Sequence, residues 1–267
     1  MSLVPVMANA LLNCQDLEKS DTSSLREIAI GGAASSPELI SRMEVAFRCR
    51  IVVGYGLTET SPLVSMSRTK GTLQPDNEEE RLFHLSMAGW PSIGNEVRVV
   101  DSHMHDVPRD METVGEVVVR GDNVMDGYFR EPEATTRVMT DGWFHTGDMA
   151  VWDEETYIHI VDRKKDIIIS GGENISSIEV EKALADHPAV SEVAIVAVAD
   201  EKWGEVPKAY VGLKPNHSAT AEELIAWCRE RLAHFKCPKH IEFGPLPRTA
   251  TGKIRKNELR AKAKVTS

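Results

Sequence analysis

The order of apolar and polar positions divides the chain into three stretches with different grammar. Up to about Val53, helical and extended patterns alternate. Leu25–Ile30 is a short apolar run that predicts a strand, and it passes into Gly31-Gly32-Ala33-Ala34. Ser36-Pro37-Glu38 then predicts a helix start: a serine N-cap, proline at the first helical position and an early acid facing the helix dipole. Leu39, Ile40, Met43 and Phe47 fall on one side of that helix. Ile51–Val53 predicts the next strand, ending in Gly54-Tyr55-Gly56. Alternation of this kind is α/β grammar, which places loops at strand ends, where ligands tend to sit.

Residues 71–81 are polar and acidic and read as a solvated loop. From Glu96 onward short β-runs (97–100, 115–120, 143–150 and 157–161) are split by turns, a spacing that predicts a small barrel or curled sheet. Beyond Asp162 the pattern changes again. A strand over 166–170 precedes Ser176-x-x-Glu179, read as a capping box opening a helix to Ala185. Strands follow over 190–199 and 209–213, and Thr220-x-x-Glu223 caps a second amphipathic helix to about Leu232. The last third thus reads as an α+β unit of its own, with a seam near Arg163-Lys164-Lys165. No internal repeat is present.

Composition narrows the classes. The 267 residues exceed one usual domain, so two folded units are expected. With 42% apolar and 27% charged residues, the balance is that of a globular protein with a real core. A formal net charge of −10 argues against nucleic acid as the main partner. The four cysteines are scattered without a C-x-x-C pair, which argues against a disulfide framework or zinc site and fits a reducing compartment. No apolar run approaches the roughly 20 residues of a membrane span. Nor does the N-terminus have the layout of a signal peptide, so a cytoplasmic protein is expected. Met1-Ser2-Leu3 reads as an added leader, because Val4–Leu12 already has the pattern of the middle of a packed element. Arg120-Gly121-Asp122 and His103-x-His105-Asp106, which spell an adhesion tripeptide and a possible metal site, lie in turn contexts and read as incidental.

Five segments carry candidate chemistry: Gly31–Ala34, Gly54–Thr60, Trp143–Asp148, Asp162–Asn174 and Pro247–Lys256. In the second, Gly54 and Gly56 permit close backbone approach to a ligand. Tyr55 offers a flat face, Thr58 a hydroxyl, and Glu59 a hard oxygen donor suited to Mg²⁺; taken alone, the heptad is equally a glycine turn with a surface acid. Asp148 follows Gly147 at a strand end, where its carboxylate could accept two hydroxyl hydrogen bonds at once. Arg163 supplies a rigid fork of donors, or is a surface arginine in a basic run. His145 and Trp143 read as packing residues. Gly171-Gly172-Glu173 is a strand-to-helix connection with room for a close backbone approach, or an ordinary turn. Lys253, behind Thr251-Gly252 in a Pro/Thr/Gly-rich loop, can bring a point charge to a developing anion, or is one more lysine of a basic tail.

Together, the order and spacing of these five segments resemble the AMP-forming acyl-activating superfamily of acyl-CoA synthetases, luciferases and adenylation domains, and most of all its fatty-acyl-CoA ligases. The resemblance implies mixed α/β and α+β architecture. Residues 1–164 would be the C-terminal part of the large AMP-binding domain, including a β-barrel-like region, and residues 165–267 a small mobile domain. It implies ATP, Mg²⁺ and coenzyme A as ligands and a fatty acid as substrate. Gly32 and Ala33 would lie along adenine and acyl group, Tyr55 on adenine, Thr58 at the α-phosphate, and Glu59 on Mg²⁺. Asp148 would bind ribose, with Arg163 also at the nucleotide. Gly171, Gly172 and Glu173 would border the pantetheine path, Lys165 would be the hinge, and Lys253 the adenylation lysine. The family's Ser/Thr/Gly-rich phosphate loop has no counterpart here. The chain is therefore expected to be a C-terminal portion, inactive alone. Two alternatives stand beside this: an adenylation domain that loads a carrier protein, and a catalytically silent nucleotide- or partner-binding module.

Overall fold

A computed structural model of the chain describes residues 1–249, 252 and 254–265, apart from the side chain of Val265. It divides into two compact units, Met1–Ile160 and Val161–Ser267.

The first unit holds two sheets. In the first, β1 (Ser2–Leu3), β2 (Glu27–Gly31) and β3 (Arg50–Tyr55) run parallel, and the short β4 (Ser65–Met66) and β5 (Trp90–Pro91) continue it antiparallel. Three helices, α1 (Pro5–Leu12), α2 (Pro37–Phe47) and α3 (Glu78–Ser86), contribute to its core. Ser36 caps α2 as its sequence predicts, its hydroxyl accepting the Leu39 N–H at 3.1 Å. Leu39, Ile40, Met43 and Phe47 are all buried against Ile28, Ile30, Ile51 and Val53. α1 buries only Ala8 fully and leaves Val6 and Met7 exposed, so it is less packed than its apolar sequence suggests.

The acidic stretch expected as a loop becomes the start of α3. Asn77 caps it by accepting the Glu80 N–H at 2.9 Å, and Glu78, Glu79 and Glu80 occupy the first turn. Charges that look like a solvated run sit where a helix N-terminus favours them, while Leu82 and Leu85 supply the apolar face.

The second sheet is antiparallel. It comprises β6 (Asn95–Val100), β7 (Gly115–Gly121), β8 (Met139–Thr140), β9 (Trp143–Trp152) and β10 (Ile158–Arg163), whose last three residues are counted with the second unit, in the order β10-β9-β7-β6 with β8 on β9. Val99, Val117, Val119, Ala150, Trp152 and Ile158 form its core. The small helix α4 (Pro132–Val138) precedes β8.

The second unit is built on the long pair β13 (Val190–Asp200) and β14 (Gly204–Leu213), extended by β11 (Ile168–Ser170), β12 (Glu173–Ile175) and β15 (His240–Phe243). The run Val193–Val198 is apolar without alternation because both faces of β13 are covered. Val193 and Ile195 pack with Val180 and Leu184 of α5 (Ser177–Ala185) and Leu224 and Cys228 of α6 (Ala221–Arg229). Ala194, Val196 and Val198 pack with Leu259 and Ala263 of α7 (Lys256–Val265). Thr220 and Glu223 form the expected reciprocal capping box. Ser176 caps α5, but Glu179 does not complete its box; its carboxylate takes the Lys236 ammonium at 2.7 and 2.8 Å instead. Among the described residues no helix is long and apolar enough to cross a membrane.

Candidate functional site

In the first unit the parallel strands β2 and β3 end side by side, with Gly31 in register with Gly54. A Cβ on Gly31 would stand 3.0 Å from the Gly54 carbonyl, and Gly32 has φ +81°, so this strand-to-helix turn is built for glycine. Gly32 and Ala33 are exposed at the strand end. One strand over, β3 ends at Tyr55, and Gly56 leads into a tight turn. A Cβ on Gly56 would lie 1.7 Å from the Pro62 carbonyl oxygen. Thr58 and Glu59 stand in the short helical turn Thr58–Thr60. The buried Thr60 hydroxyl fastens that turn, its one proton shared between the Leu57 and Pro62 carbonyls and its oxygen accepting the Leu57 N–H, all within 3.1 Å. Asn123 adds a bond from its amide to the Thr60 carbonyl at 2.6 Å.

Glu59 is reached by the Tyr128 hydroxyl at 2.9 Å, and its carbonyl by the Met125 N–H at 2.8 Å. Burial and then the neighbouring Glu59 carboxylate push the Tyr128 phenol above its usual range. Among the described residues no three His, Cys, Asp or Glu side chains gather around a metal site. One carboxylate beside one hydroxyl fits an ion that draws its remaining oxygens from substrate phosphates and water, as Mg²⁺ does.

The Tyr55 hydroxyl donates to Asp148 Oδ2 at 2.6 Å. That bond joins the β3 terminus to the second sheet. Asp148 is not at a strand end, as its sequence context suggests, but inside β9, and it is 3% exposed. It stands in an irregularity: β7 pairs Glu116 with Met149 and Val118 with His145, so Val117 alone faces Thr146, Gly147 and Asp148. Such bulges re-aim a side chain. Gly147 takes φ +70° there, and His145, expected only to pack, meets Glu116 at 3.0 Å.

The remaining candidates lie in the second unit. Asp162, 1% exposed, accepts the Arg163 N–H at 2.7 Å, which fixes the backbone carrying Arg163. Lys165 sits in the following turn, where its carbonyl accepts from Arg260 of α7 at 3.0 Å while Arg260 also pairs with Asp166 at 2.6 Å. Gly171 and Gly172, with φ +61° and +92°, form the two-residue turn of the β11–β12 hairpin, and Glu173 opens β12. Two positive φ angles are what a type I′ hairpin turn demands. A Cβ on Gly171 would stand 2.7 Å from the Trp203 ring, and the Gly171 N–H donates to the Trp203 carbonyl at 2.8 Å. Trp203 is 41% exposed, with the Lys202 and Lys239 ammonium groups 4.6 and 5.4 Å from its ring centre. Sequence reasoning missed this group; its one local signal is a tryptophan in the polar turn Asp200–Gly204.

Lys253 lies outside the described residues. Among the described residues before and after it in sequence, Arg248 donates to the Gly252 carbonyl and pairs with Glu192, and the Arg255 N–H reaches the Pro247 carbonyl at 2.8 Å. Lys256 pairs with Glu181 at 2.6 Å and donates to Ser177 at 2.7 Å. Burial holds the Glu181 carboxyl above its usual range, against the pull of Lys256.

Two family models match this chain. That of the AMP-binding enzymes covers residues 1–129, and that of the AMP-binding enzyme C-terminal domain covers residues 179–253. The chain belongs to the AMP-binding enzyme family. It is 45% identical over 237 residues to 4-hydroxybutyrate–CoA ligase 2 of Metallosphaera sedula, covering 88% of this chain and 43% of that protein. It is 43% identical to feruloyl-CoA synthase of an Amycolatopsis species, covering 96% and 50%. Among solved structures, the o-succinylbenzoate CoA synthetase of Bacillus subtilis, in complex with its acyl-adenylate intermediate, superposes with a TM-score of 0.81 at 34% identity, covering 97% of this chain and 50% of that one. The chain thus spans about half the length of these relatives. The superfamily and the mixed α/β fold expected from the five segments are both borne out.

Proposed function

We propose that this chain is the nucleotide- and thiol-handling portion of an AMP-forming acid–CoA ligase. In the first step a carboxylate oxygen attacks the α-phosphorus of ATP, and the bond to pyrophosphate breaks. In the second the coenzyme A sulfur attacks the acyl carbon, losing its proton, and AMP departs. Only interactions stronger in the transition state than before it accelerate such steps, so charged groups aimed at the phosphoryl oxygens have the largest effect.

The observation that carries the reading is the Tyr55–Asp148 bond beside the paired Gly31 and Gly54 termini. It sets a buried carboxylate next to an aromatic face and two side-chain-free strand ends, a combination suited to a nucleoside. Asp148 is assigned to the ribose hydroxyls, Tyr55 with Gly32, Ala33, Gly54 and Gly56 to the base, and Thr58 to the α-phosphate. Glu59 is assigned to Mg²⁺, which when bound would neutralise phosphate charge. Arg163 is assigned to nucleotide oxygens and Lys253 to the charge developing in adenylation. Lys165 is the proposed pivot of the chain. Gly171, Gly172 and Glu173 are assigned to the coenzyme A arm, and the neighbouring Trp203 and Lys239 supply a flat face and a cation in keeping with that ligand.

A fatty acid is the substrate that the segments suggest. The relatives are named for 4-hydroxybutyrate, ferulate and o-succinylbenzoate, so the class proposed is carboxylic acids, aliphatic or aryl. Calorimetric titration of AMP and of coenzyme A into the chain tests the reading. AMP binding that Asp148→Ala weakens, and coenzyme A binding that Trp203→Ala weakens, are expected. A chain that takes up neither ligand contradicts it.

A further inference from the structure

We propose that Glu116 is a positioning residue for Asp148: its carboxylate spans the irregularity in β9 and sets the direction in which Asp148 points. The inference rests on the reading of Asp148 as the ribose ligand, and on the geometry of the strand pair.

A strand with three residues facing one leaves N–H groups without ladder partners, and buried backbone donors do not stay unpaired. Here side chains take them. Glu116 Oε1 accepts the Gly147 N–H at 3.2 Å, and Glu116 Oε2 meets His145 Nδ1 at 3.0 Å. The Thr146 hydroxyl accepts the Asp148 N–H at 3.1 Å while donating to the Val117 carbonyl at 2.8 Å. Glu116, Thr146 and Asp148 are 7%, 5% and 3% exposed, while their partners His145 and Gly147 are half-buried. Glu116 thus grips both the residue before and the residue after Thr146, and the loop has one way to lie. With Glu116 shortened, the Gly147 N–H loses its carboxylate acceptor, and the least costly relief is rotation of the Thr146–Gly147 peptide, which the φ freedom of Gly147 permits. Asp148 lies one residue beyond that peptide, and the changed Gly147 φ swings its carboxylate away from Tyr55. A bland alternative is that Glu116 only satisfies local polar groups and that Thr146 alone holds Asp148.

The test is tyrosine ¹³Cζ NMR of the 267-residue chain, whose four tyrosines give four assignable signals. The Tyr55 signal reports its bond to Asp148, with Asp148→Ala as the reference for its loss. Glu116→Ala should move the Tyr55 signal to the Asp148→Ala position. Glu116→Gln, whose amide oxygen can still accept the Gly147 N–H, should restore it. An unmoved Tyr55 signal in folded Glu116→Ala overturns the proposal, as does a wild-type signal already at the Asp148→Ala position. Should Glu116→Ala fail to fold, His145→Phe releases the other side of the carboxylate, and the same signal must shift for the proposal to stand.

Parallel titrations with AMP and 2′,3′-dideoxy-AMP separate this from the nucleotide reading. Glu116→Ala should bind AMP about tenfold more weakly, the loss of one charge-assisted hydrogen bond, with dideoxy-AMP unchanged. A wild-type chain that does not discriminate the two nucleotides contradicts the ribose role of Asp148, and the Tyr55 signal still decides the positioning.

Discussion

Tyr55 and Asp148 lie 93 positions apart, on different sheets of the first unit, and share a 2.6 Å hydrogen bond from phenol to carboxylate. The phenol end of Tyr55 is held by this bond, so its ring is oriented before any ligand arrives. Preorganised groups of this sort lose little freedom when a ligand binds.

Gly56 belongs to the same turn, and its requirement is steric. With the Pro62 carbonyl 1.7 Å from the place of a Cβ, Gly56→Ala must displace backbone. We expect a loss of about 1–3 kcal/mol, the usual cost of overpacking, read as a lower urea midpoint at unchanged slope. Gly94→Ala, where a Cβ meets nothing within 4 Å but φ is +93°, provides a strain-only comparison. Equal stability of Gly56→Ala and wild type would refute the steric account.

Much of this was readable from sequence, for reasons that differ by element. Ser36-Pro37 and Thr220–Glu223 act within a few residues, so their caps follow from local chemistry. Asn77 is equally local, yet the acids behind it read as solvated charge until Leu82 and Leu85 are seen to be packed. The bulge at Gly147 was hidden because its side-chain partner, Glu116, is 31 positions away on another strand. Trp203 escaped notice for the same reason: nothing local to it announces that Gly171 lies beneath its ring.

The cysteines separate by burial. Cys14 is exposed, Cys49 half-buried, and Cys228 and Cys237 buried. Burial pushes all three of the latter thiols upward, Cys228 to about 12. A thiol reagent at neutral pH should therefore label Cys14 first and Cys49 slowly, and reach Cys228 and Cys237 only on unfolding. Because the Cys228 value is raised in the folded state, its contribution to stability is complete below the unfolded value near 9 and declines as pH climbs toward 12. Cys228→Ala should flatten the alkaline slope of the unfolding midpoint. Rapid labelling of all four native thiols would contradict this packing.

The chain spans about half of its relatives, and we expect no pyrophosphate release from ATP and a carboxylic acid by the 267-residue chain alone. Release above background, abolished by Lys253→Ala, would overturn that expectation.

In a longer form of the protein that carries out both steps, Lys253→Ala should slow adenylation by roughly 10²–10³, as for loss of one transition-state donor. Thioester formation from pre-made acyl-AMP should change little. Equal losses in the two half-reactions would give Lys253 a structural role.

Asp148 is assigned to the ribose of a bound nucleotide, and AMP titration of wild-type, Tyr55→Phe and Asp148→Ala chains decides whether it holds one. Loss of a carboxylate accepting two hydroxyl bonds should weaken AMP binding by about 10–100-fold. Tyr55→Phe, which keeps the aromatic face, should lose far less. AMP affinity that is the same in Asp148→Ala as in wild type would contradict the ribose role of Asp148.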